Sequence, residues 1–372
     1  MLSPHWSSRL YHASLPLLTQ LPLAWQIKLA SWGRSHFMHQ LINYPTDYNY
    51  TPPAQLAQEL WGLKFRTGLA NSAGMFKNGE GYDLVTRLGA GSYIGGTSTA
   101  NPRLGNLKHG IKLPFISLPK SKVAINFLGL PNLGDDYLTK QTITNNKISD
   151  CPIGWSVMRS PDYNEQEGLQ NLLQSIHAYY QHPQIDFLEI NESCPNIAHG
   201  SGNIISRLEY IAKNFLPHRK RNFPVIVKLS NDLTISIAIE LVTNLVKLGY
   251  DGINLGNTST DYAGICAQLS PSEKTLFNYF SQNFGGGVSG APLKNKSLNL
   301  CAEVANHLVH LAPNHEFHII RSGGIDSYVD LQQSLAHGVK LNQWYTGFFN
   351  NYHIDGEQVY TQLFKSFKQN SL

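Results

Sequence analysis

The chain of 372 residues is short of several things, and each shortage removes a class of answer. It has no run of eighteen apolar residues, so a membrane-spanning helix is not expected. Its four cysteines, Cys151, Cys194, Cys266 and Cys301, lie far apart with no Cys-x-x-Cys unit. A cysteine-held zinc or iron–sulfur centre is therefore not expected, no metal is assigned, and a reducing compartment fits best. Charged residues make up only 15% and the formal net charge is +4. The nearest thing to a basic run is His218-Arg-Lys-Arg221, read as a solvated loop, so no nucleic-acid partner is expected. The N-terminus lacks a basic start leading into an uninterrupted apolar stretch, so a secretion signal is not indicated. A hydrophobic content of 42% makes the chain globular.

What is present is alternation. Short apolar runs at 69–73, 92–95, 153–157, 187–191, 225–229, 252–255, 318–321 and 344–346 read as strands. Helix-period segments at 168–182, 233–248, 295–311 and 326–337 lie between them. The clearest, 233–248, repeats Ala238, Leu241, Val242, Leu245 and Leu248 on one face, with Asp232 expected to cap it and Gly249 to end it; the last is expected to open at Asp326 and close at Gly338. Eight such strands predict a (β/α)₈ barrel over 51–372, with an open doubly wound sheet as the second choice. Residues 1–50 differ. Leu and Trp recur there beside Arg9, Lys28 and Arg34, and Pro16 and Pro22 are expected to divide the segment into two short amphipathic helices before a linker at 45–53. Such a face suits either a membrane interface or packing on the barrel or a partner.

Barrels gather their chemistry at the carboxyl ends of the strands. Polar residues fall there: Asn71-Ser-Ala-Gly-Met-Phe-Lys77, Asn191-Glu-Ser-Cys-Pro-Asn196, Lys228 and Asn257-Thr-Ser259. Two amides flanking the Cys194 thiol can hold a small planar polar molecule against a proton acceptor; the plainer reading is a buried structural thiol beside a turn. Lys228 ends an apolar strand and needs an anionic partner, either a ligand or an interior carboxylate. Glycines at Phe284-Gly-Gly-Gly-Val-Ser-Gly290, Arg321-Ser-Gly-Gly-Ile-Asp326 and Tyr345-Thr-Gly-Phe348 let backbone N–H groups approach an anion, and the loops after strands seven and eight are the usual phosphate cradle of a barrel.

These motifs, with Ile125-Asn-Phe-Leu-Gly-Leu-Pro-Asn132 and Lys77-Asn-Gly-Glu80, keep an order and spacing that resembles the dihydroorotate dehydrogenase family over about residues 60–350. The resemblance implies oxidation of dihydroorotate to orotate in pyrimidine synthesis, with flavin mononucleotide (FMN) as hydride acceptor. It implies Cys194 as the catalytic base and Lys77, Asn126, Asn191, Asn196, Asn257 and Thr258 as substrate ligands. Ala73, Gly74, Thr97 and Ser156 would line the flavin, Lys228 would face its N1 and O2 edge, and Ser259, Gly290, Gly323, Gly324, Thr346 and Gly347 would complete the cofactor site. A cysteine base and Gly129-Leu-Pro-Asn132 are similar to the soluble class, which reduces fumarate or NAD. Lys77-Asn-Gly-Glu80 and the helical N-terminal extension resemble the membrane-associated class, which reduces quinone. Gly96 stands where the soluble class carries lysine, and Arg321 stands where a small residue is expected. The expectation is a quinone-linked enzyme on the cytoplasmic face of a membrane, held by residues 1–44. The alternatives are a cytoplasmic fumarate- or NAD-linked enzyme, or a flavin-dependent uracil or tRNA-dihydrouridine reductase. Oligomeric state is left open.

Overall fold

The structure, a computed structural model, describes residues 2–192 and 201–369, the side chains of 201–203 and 368–369 excepted. Eight strands form one parallel sheet: β1 (Leu69–Asn71), β2 (Tyr93–Ser98), β3 (Ile153–Val157), β4 (Phe187–Asn191), β5 (Val225–Leu229), β6 (Gly252–Leu255), β7 (His318–Ser322) and β8 (Leu341–Trp344). Each pairs with its neighbours in sequence, β8 pairs with β1, and a parallel bridge between Ala70 and Ser92 joins β1 to β2 and closes the ring. These are the near-continuous apolar runs of the sequence, and β3 to β6 are buried along their whole length, as a sheet covered on both faces requires. The fold is a (β/α)₈ barrel.

Phe65, Phe187, Ile226, Ile320 and Leu341 fill the barrel, and Trp61, from the hairpin Gln58–Leu60/Leu63–Phe65, packs into the same cluster. A larger core lies between the strands and the outer helices Glu165–Gln181, Ser201–Phe215, Ile235–Leu248 and Lys294–Leu311. Between β2 and β3 the chain adds the antiparallel strands Phe115–Leu118 and Val123–Asn126. A third strand, Gly287–Gly290, pairs with the second of these, so the three form a small sheet across the barrel mouth.

Several local expectations move by a few residues. The eighth strand is Leu341–Trp344 rather than 344–346, because Thr346 already begins the helix Thr346–Asp355. Asn342 and Gln343 disguised it, being polar residues buried in the sheet. Thr234, not Asp232, caps Ile235–Leu248, its hydroxyl accepting from the Ile237 N–H at 3.3 Å; Gly249 ends that helix at φ +81° as expected. Ser327 rather than Asp326 caps Tyr328–Ala336, in a reciprocal pair with Asp330.

The N-terminal helices are α1 (Pro4–Leu18) and α2 (Leu23–Asn43). Ser3 caps α1 and Pro4 occupies its first position, where a missing N–H costs nothing. Pro16 does not break it, since it falls in the last turn; the chain reverses between the helices, where the Gln26 amide bonds the Thr19 and Leu21 carbonyls. Helix α2 buries Ile27, Ala30, Met38 and Leu41 along one stripe. Ile27 and Ala30 join Ile116, Leu118, Ile125 and Val288, so α2 lies on the mouth sheet, each fully buried aliphatic side chain contributing about 1.5–3 kcal/mol. The contact is keyed by Ser31, whose hydroxyl bonds both the carbonyl (3.2 Å) and the N–H (2.9 Å) of Phe115.

Candidate active site

A cleft opens over the carboxyl ends of the strands, with about 1290 Å³ of empty space including its mouth. The ring brings to it residues more than 200 positions apart: Ala73, Gly74 and Lys77 after β1, Thr97 from β2, Asn191 from β4, Lys228 from β5, Asn257 and Thr258 after β6, Gly323 and Gly324 after β7, and Thr346 and Gly347 after β8. The mouth sheet adds Asn126, whose amide is pinned to the Gly287 carbonyl at 3.3 Å, and Gly290. Two expected residues sit elsewhere. Ser156 is buried behind the wall, 3.0 Å from the Thr97 hydroxyl, which also accepts from the Asn191 amide at 3.1 Å; it therefore supports the lining without forming it. Ser259 turns away and donates to Asp232 at 2.5 Å, while its backbone pairs with Val288. Cys194 and Asn196 lie outside the described residues. The approach to them is anchored: buried Arg207 holds Glu192 through contacts of 2.7 and 3.1 Å, and the Glu192 N–H bonds the Lys228 carbonyl.

The floor of the cleft is a buried polar network that the sequence reading missed. Lys228, 2% exposed, has its ammonium 3.4 Å from Glu189 Oε1 and 3.5 Å from Gln343 Oε1. Glu189 Oε2 accepts from Asn254 at 2.7 Å and from Gln343 at 2.9 Å, and the Ser322 hydroxyl bonds both Asn254 and Gln343. Lys228 thus has the interior carboxylate that was one of its two readings, and it also lines the cleft. Removing one partner of such a pair leaves an uncompensated buried charge. The signal was available in Phe187-Leu-Glu-Ile-Asn191, Gly252-Ile-Asn-Leu255 and Leu341-Asn-Gln-Trp344, each an apolar strand interrupted by one or two polar residues.

At one end the walls are backbone. Gly323 and Gly324 take φ of +130° and +74°, and a Cβ on Gly324 would strike the Lys294 backbone. A side chain on Gly347 would strike the Ile325 carbonyl. Such close backbone approach, with the Thr346 and Ser289 hydroxyls 2.8 Å apart beside it, suits a phosphate group. At the other end stands Lys77, its ammonium beside Gly74. Burial, and after it the charge of Arg34, pull this lysine down to about 7, with Glu80 opposing.

Arg34 belongs to α2 and marks a second pocket, between the N-terminal helices and the barrel. Its walls are largely apolar, with Leu18, Leu29, Ala30, Phe37 and Phe349 among them, and its empty volume is about 1390 Å³. Arg34 donates to the Tyr345 hydroxyl at 3.3 Å and lies over the Phe115 ring. Phe115, Ala124, Tyr345 and Thr346 line both pockets, so they are a shared partition. His12 also lines the second pocket and stacks on His353 with ring centroids 3.4 Å apart; burial, then the His353 charge, lower it to about 4, which keeps it neutral.

Comparison with known proteins agrees with the barrel fold. The ligand-free DHODH of Eimeria tenella superposes with a TM-score of 0.69 at 22% identity, covering 95% of each chain, and the ferulenol complex from that organism with 0.66 at 21%, covering 94% of this chain and 91% of the other. Among curated proteins, dihydroorotate dehydrogenase (quinone) of Vibrio parahaemolyticus is 28% identical over 306 residues, 80% of this chain and 83% of the relative. The enzyme of that name from Aeromonas salmonicida is 27% identical over 322 residues, 84% and 88% of the two chains. The family model for dihydroorotate dehydrogenase matches residues 55–366, and the chain belongs to that family.

Proposed function

We propose that this protein oxidises dihydroorotate to orotate with FMN as its cofactor and passes the electrons to a quinone. The observation that carries the reading is the partition of Phe115, Ala124, Tyr345 and Thr346, with a polar, phosphate-suited cleft on one side and an apolar pocket on the other. Fumarate or NAD would gain nothing from the second pocket, whereas an apolar acceptor needs one.

The cleft fits FMN in its donor set. Gly290, Gly323, Gly324, Thr346 and Gly347 would hold the phosphate, Ala73, Gly74 and Thr97 the ring and ribityl chain, and Lys228 the electron-rich edge. When bound, FMN supplies the two-electron acceptor for the substrate. The chain's own part is binding and proton removal. The amides of Asn126, Asn191, Asn196 and Asn257, with Thr258, can donate to and accept from the cyclic ureide, and Lys77 is the cation for the substrate carboxylate. Cys194 takes the proton from the carbon next to the ring carbonyl, the role a strand-end thiol between two amides is suited to.

Arg34 and Tyr345 form the polar end of the apolar pocket, suited to a quinone carbonyl. Trp6, Trp25, Trp32, Leu10 and Leu17 are exposed on α1 and α2, with Arg9 over Trp6 and Lys28 over Trp25. No helix among the described residues is long and apolar enough to cross a membrane. Aromatic and cationic groups so mixed favour peripheral attachment to a membrane surface, where quinones partition. The test is anaerobic: reduce the purified protein with dihydroorotate, then offer a short-chain quinone, fumarate and NAD separately. Rapid reoxidation by quinone alone is expected; rapid reoxidation by fumarate or NAD with none by quinone would overturn the acceptor assignment.

A further inference from the structure

Directly behind the phosphate end of the cleft lies a buried cation whose hydrogen bonds reach no carboxylate. Arg321 is 0% exposed and stands two residues before Gly323 on β7. Ile320 and Ser322 face the barrel interior, so strand alternation turns Arg321 outward, into the layer between sheet and helices. Its guanidinium is ionised at any working pH. Every hydrogen bond it makes goes to a neutral acceptor: Nε to Ser297 Oγ (3.0 Å), one terminal nitrogen to the Lys294 carbonyl (2.8 Å), the other to Ser334 Oγ (3.0 Å) and the Asp330 carbonyl (3.3 Å). The Asp330 carboxylate is taken by Ser327, by the backbone of Asp326 and Ser327, and by Lys294 at 3.1 Å. Among the described residues no carboxylate lies within ion-pair distance of Arg321. Burial penalises this charge, and the one carboxylate that attracts it through space, Asp330, is already shared with Lys294, so a further anion nearby would be favoured.

The bonds lead to where the anion belongs. Ser297 Oγ, which accepts from Arg321, itself donates to the Gly323 carbonyl at 2.7 Å. Lys294, whose carbonyl takes the second bond, is the residue whose backbone packs against Gly324. Each of the two cradle glycines is thus tied to the guanidinium through a single intermediary.

We propose that Arg321 is the buried counter-charge and positioning residue of the phosphate cradle, facing a phosphate monoester dianion from behind Gly323 and Gly324. The proposal rests on the FMN reading of the cleft. It predicts that retention of FMN depends on the positive charge at 321, and not only on the bracing that an arginine gives to the helices Lys294–Leu311 and Tyr328–Ala336.

The experiment compares holoenzymes of the parent, Arg321→Lys, Arg321→Met and Ser297→Ala. FMN release after dilution is followed by flavin fluorescence, and the bound phosphate by its ³¹P resonance. Arg321→Met should release FMN roughly tenfold faster or more, the order expected of one charge acting over several ångströms in a protein interior, with a displaced ³¹P signal. Arg321→Lys, which keeps the charge but cannot make the fork of bonds, should stay near the parent. Ser297→Ala should loosen FMN by a smaller factor and displace the same resonance, and it serves if the methionine variant does not fold. Equal release rates and an unmoved ³¹P signal in Arg321→Met, or an unmoved signal in Ser297→Ala, would overturn the proposal. So would equal defects in the lysine and methionine variants, which would reduce Arg321 to a brace. A parent protein that carries no flavin would instead sink the FMN reading itself.

Discussion

The two pockets are made in opposite ways. The polar cleft is assembled by closure of the sheet: its groups sit at strand ends, its floor is a network of five buried polar side chains, and its phosphate end is backbone that tolerates no added Cβ. The apolar pocket is assembled by docking. Helices α1 and α2 supply most of one side, the barrel supplies Phe349 and the partition, and among the described residues the polar links across the seam are few: Ser31 to Phe115, Arg34 to Tyr345, and His5 and Ser8 to His353. In the proposed function, substrate chemistry is therefore bound to the fold itself, while acceptor access is carried by an element added to it. The two should come apart under mutation.

Removing α1 puts the largest strain on that separation. Without Ser7, Ser8, Tyr11, His12 and Leu18 the pocket loses a wall, and none of these residues lines the cleft. Quinone reduction should fall to background, while flavin reduction by dihydroorotate in stopped flow stays within a few-fold of the parent. Parallel loss of both half-reactions would show that the two regions are one cooperative unit. The complementary lesion is Cys194→Ala. Loss of a general base commonly costs about two to four powers of ten, so flavin reduction should slow by that order, with flavin content and quinone reoxidation of chemically reduced enzyme unchanged. Near-normal reduction would require another base.

The same contrast decides what could be read from the sequence. Strand ends were legible because the covered strands are largely apolar, so a polar residue in the last positions of each, such as Asn191 at the end of β4 or Lys228 one before the end of β5, announces the barrel mouth. The glycines of Ser322-Gly-Gly-Ile-Asp326 were legible for a related reason, since a backbone approached by a phosphate leaves little else possible. Glu189 and Gln343 were not, because an interior polar residue in a strand spoils the pattern used to find the strand; Gln343 also displaced the boundary of β8. The direction of Ser259 was not legible, because sequence adjacency to Thr258 does not say which way a side chain turns, and Asp232 claims its hydroxyl. Least legible was Arg34, which nothing in its own helix distinguishes from a surface cation. Its place depends on how α2 lies on Phe115, a matter of packing over some eighty residues of separation.

Arg34 also provides the finest test, because it lines the apolar pocket while its charge acts on Lys77 in the cleft. Lys77 is drawn down to about 7 first by burial and then by Arg34. A lysine depressed in the free protein holds its proton below that value and loses it as the pH rises through it, so the cation proposed to receive the substrate carboxylate is progressively lost above neutrality. The apparent dissociation constant for dihydroorotate should accordingly be flat below pH 7 and climb above it, by at most tenfold per pH unit. A cysteine base works in the other direction: as alkali generates thiolate, the rate constant of flavin reduction at saturating substrate should rise with pH. Arg34→Gln removes the second cause of the depression and leaves the first. The break should then move upward, so that near pH 8 the variant binds dihydroorotate a few-fold more tightly than the parent while its KM for quinone rises, because Tyr345 has lost its partner at the head of the apolar pocket. Opposite signs for the two substrates are what distinguish a charge shared across the partition from general loosening, which would weaken both; a substrate affinity independent of pH from 6 to 9 in parent and variant alike would remove Lys77 from the carboxylate's binding site.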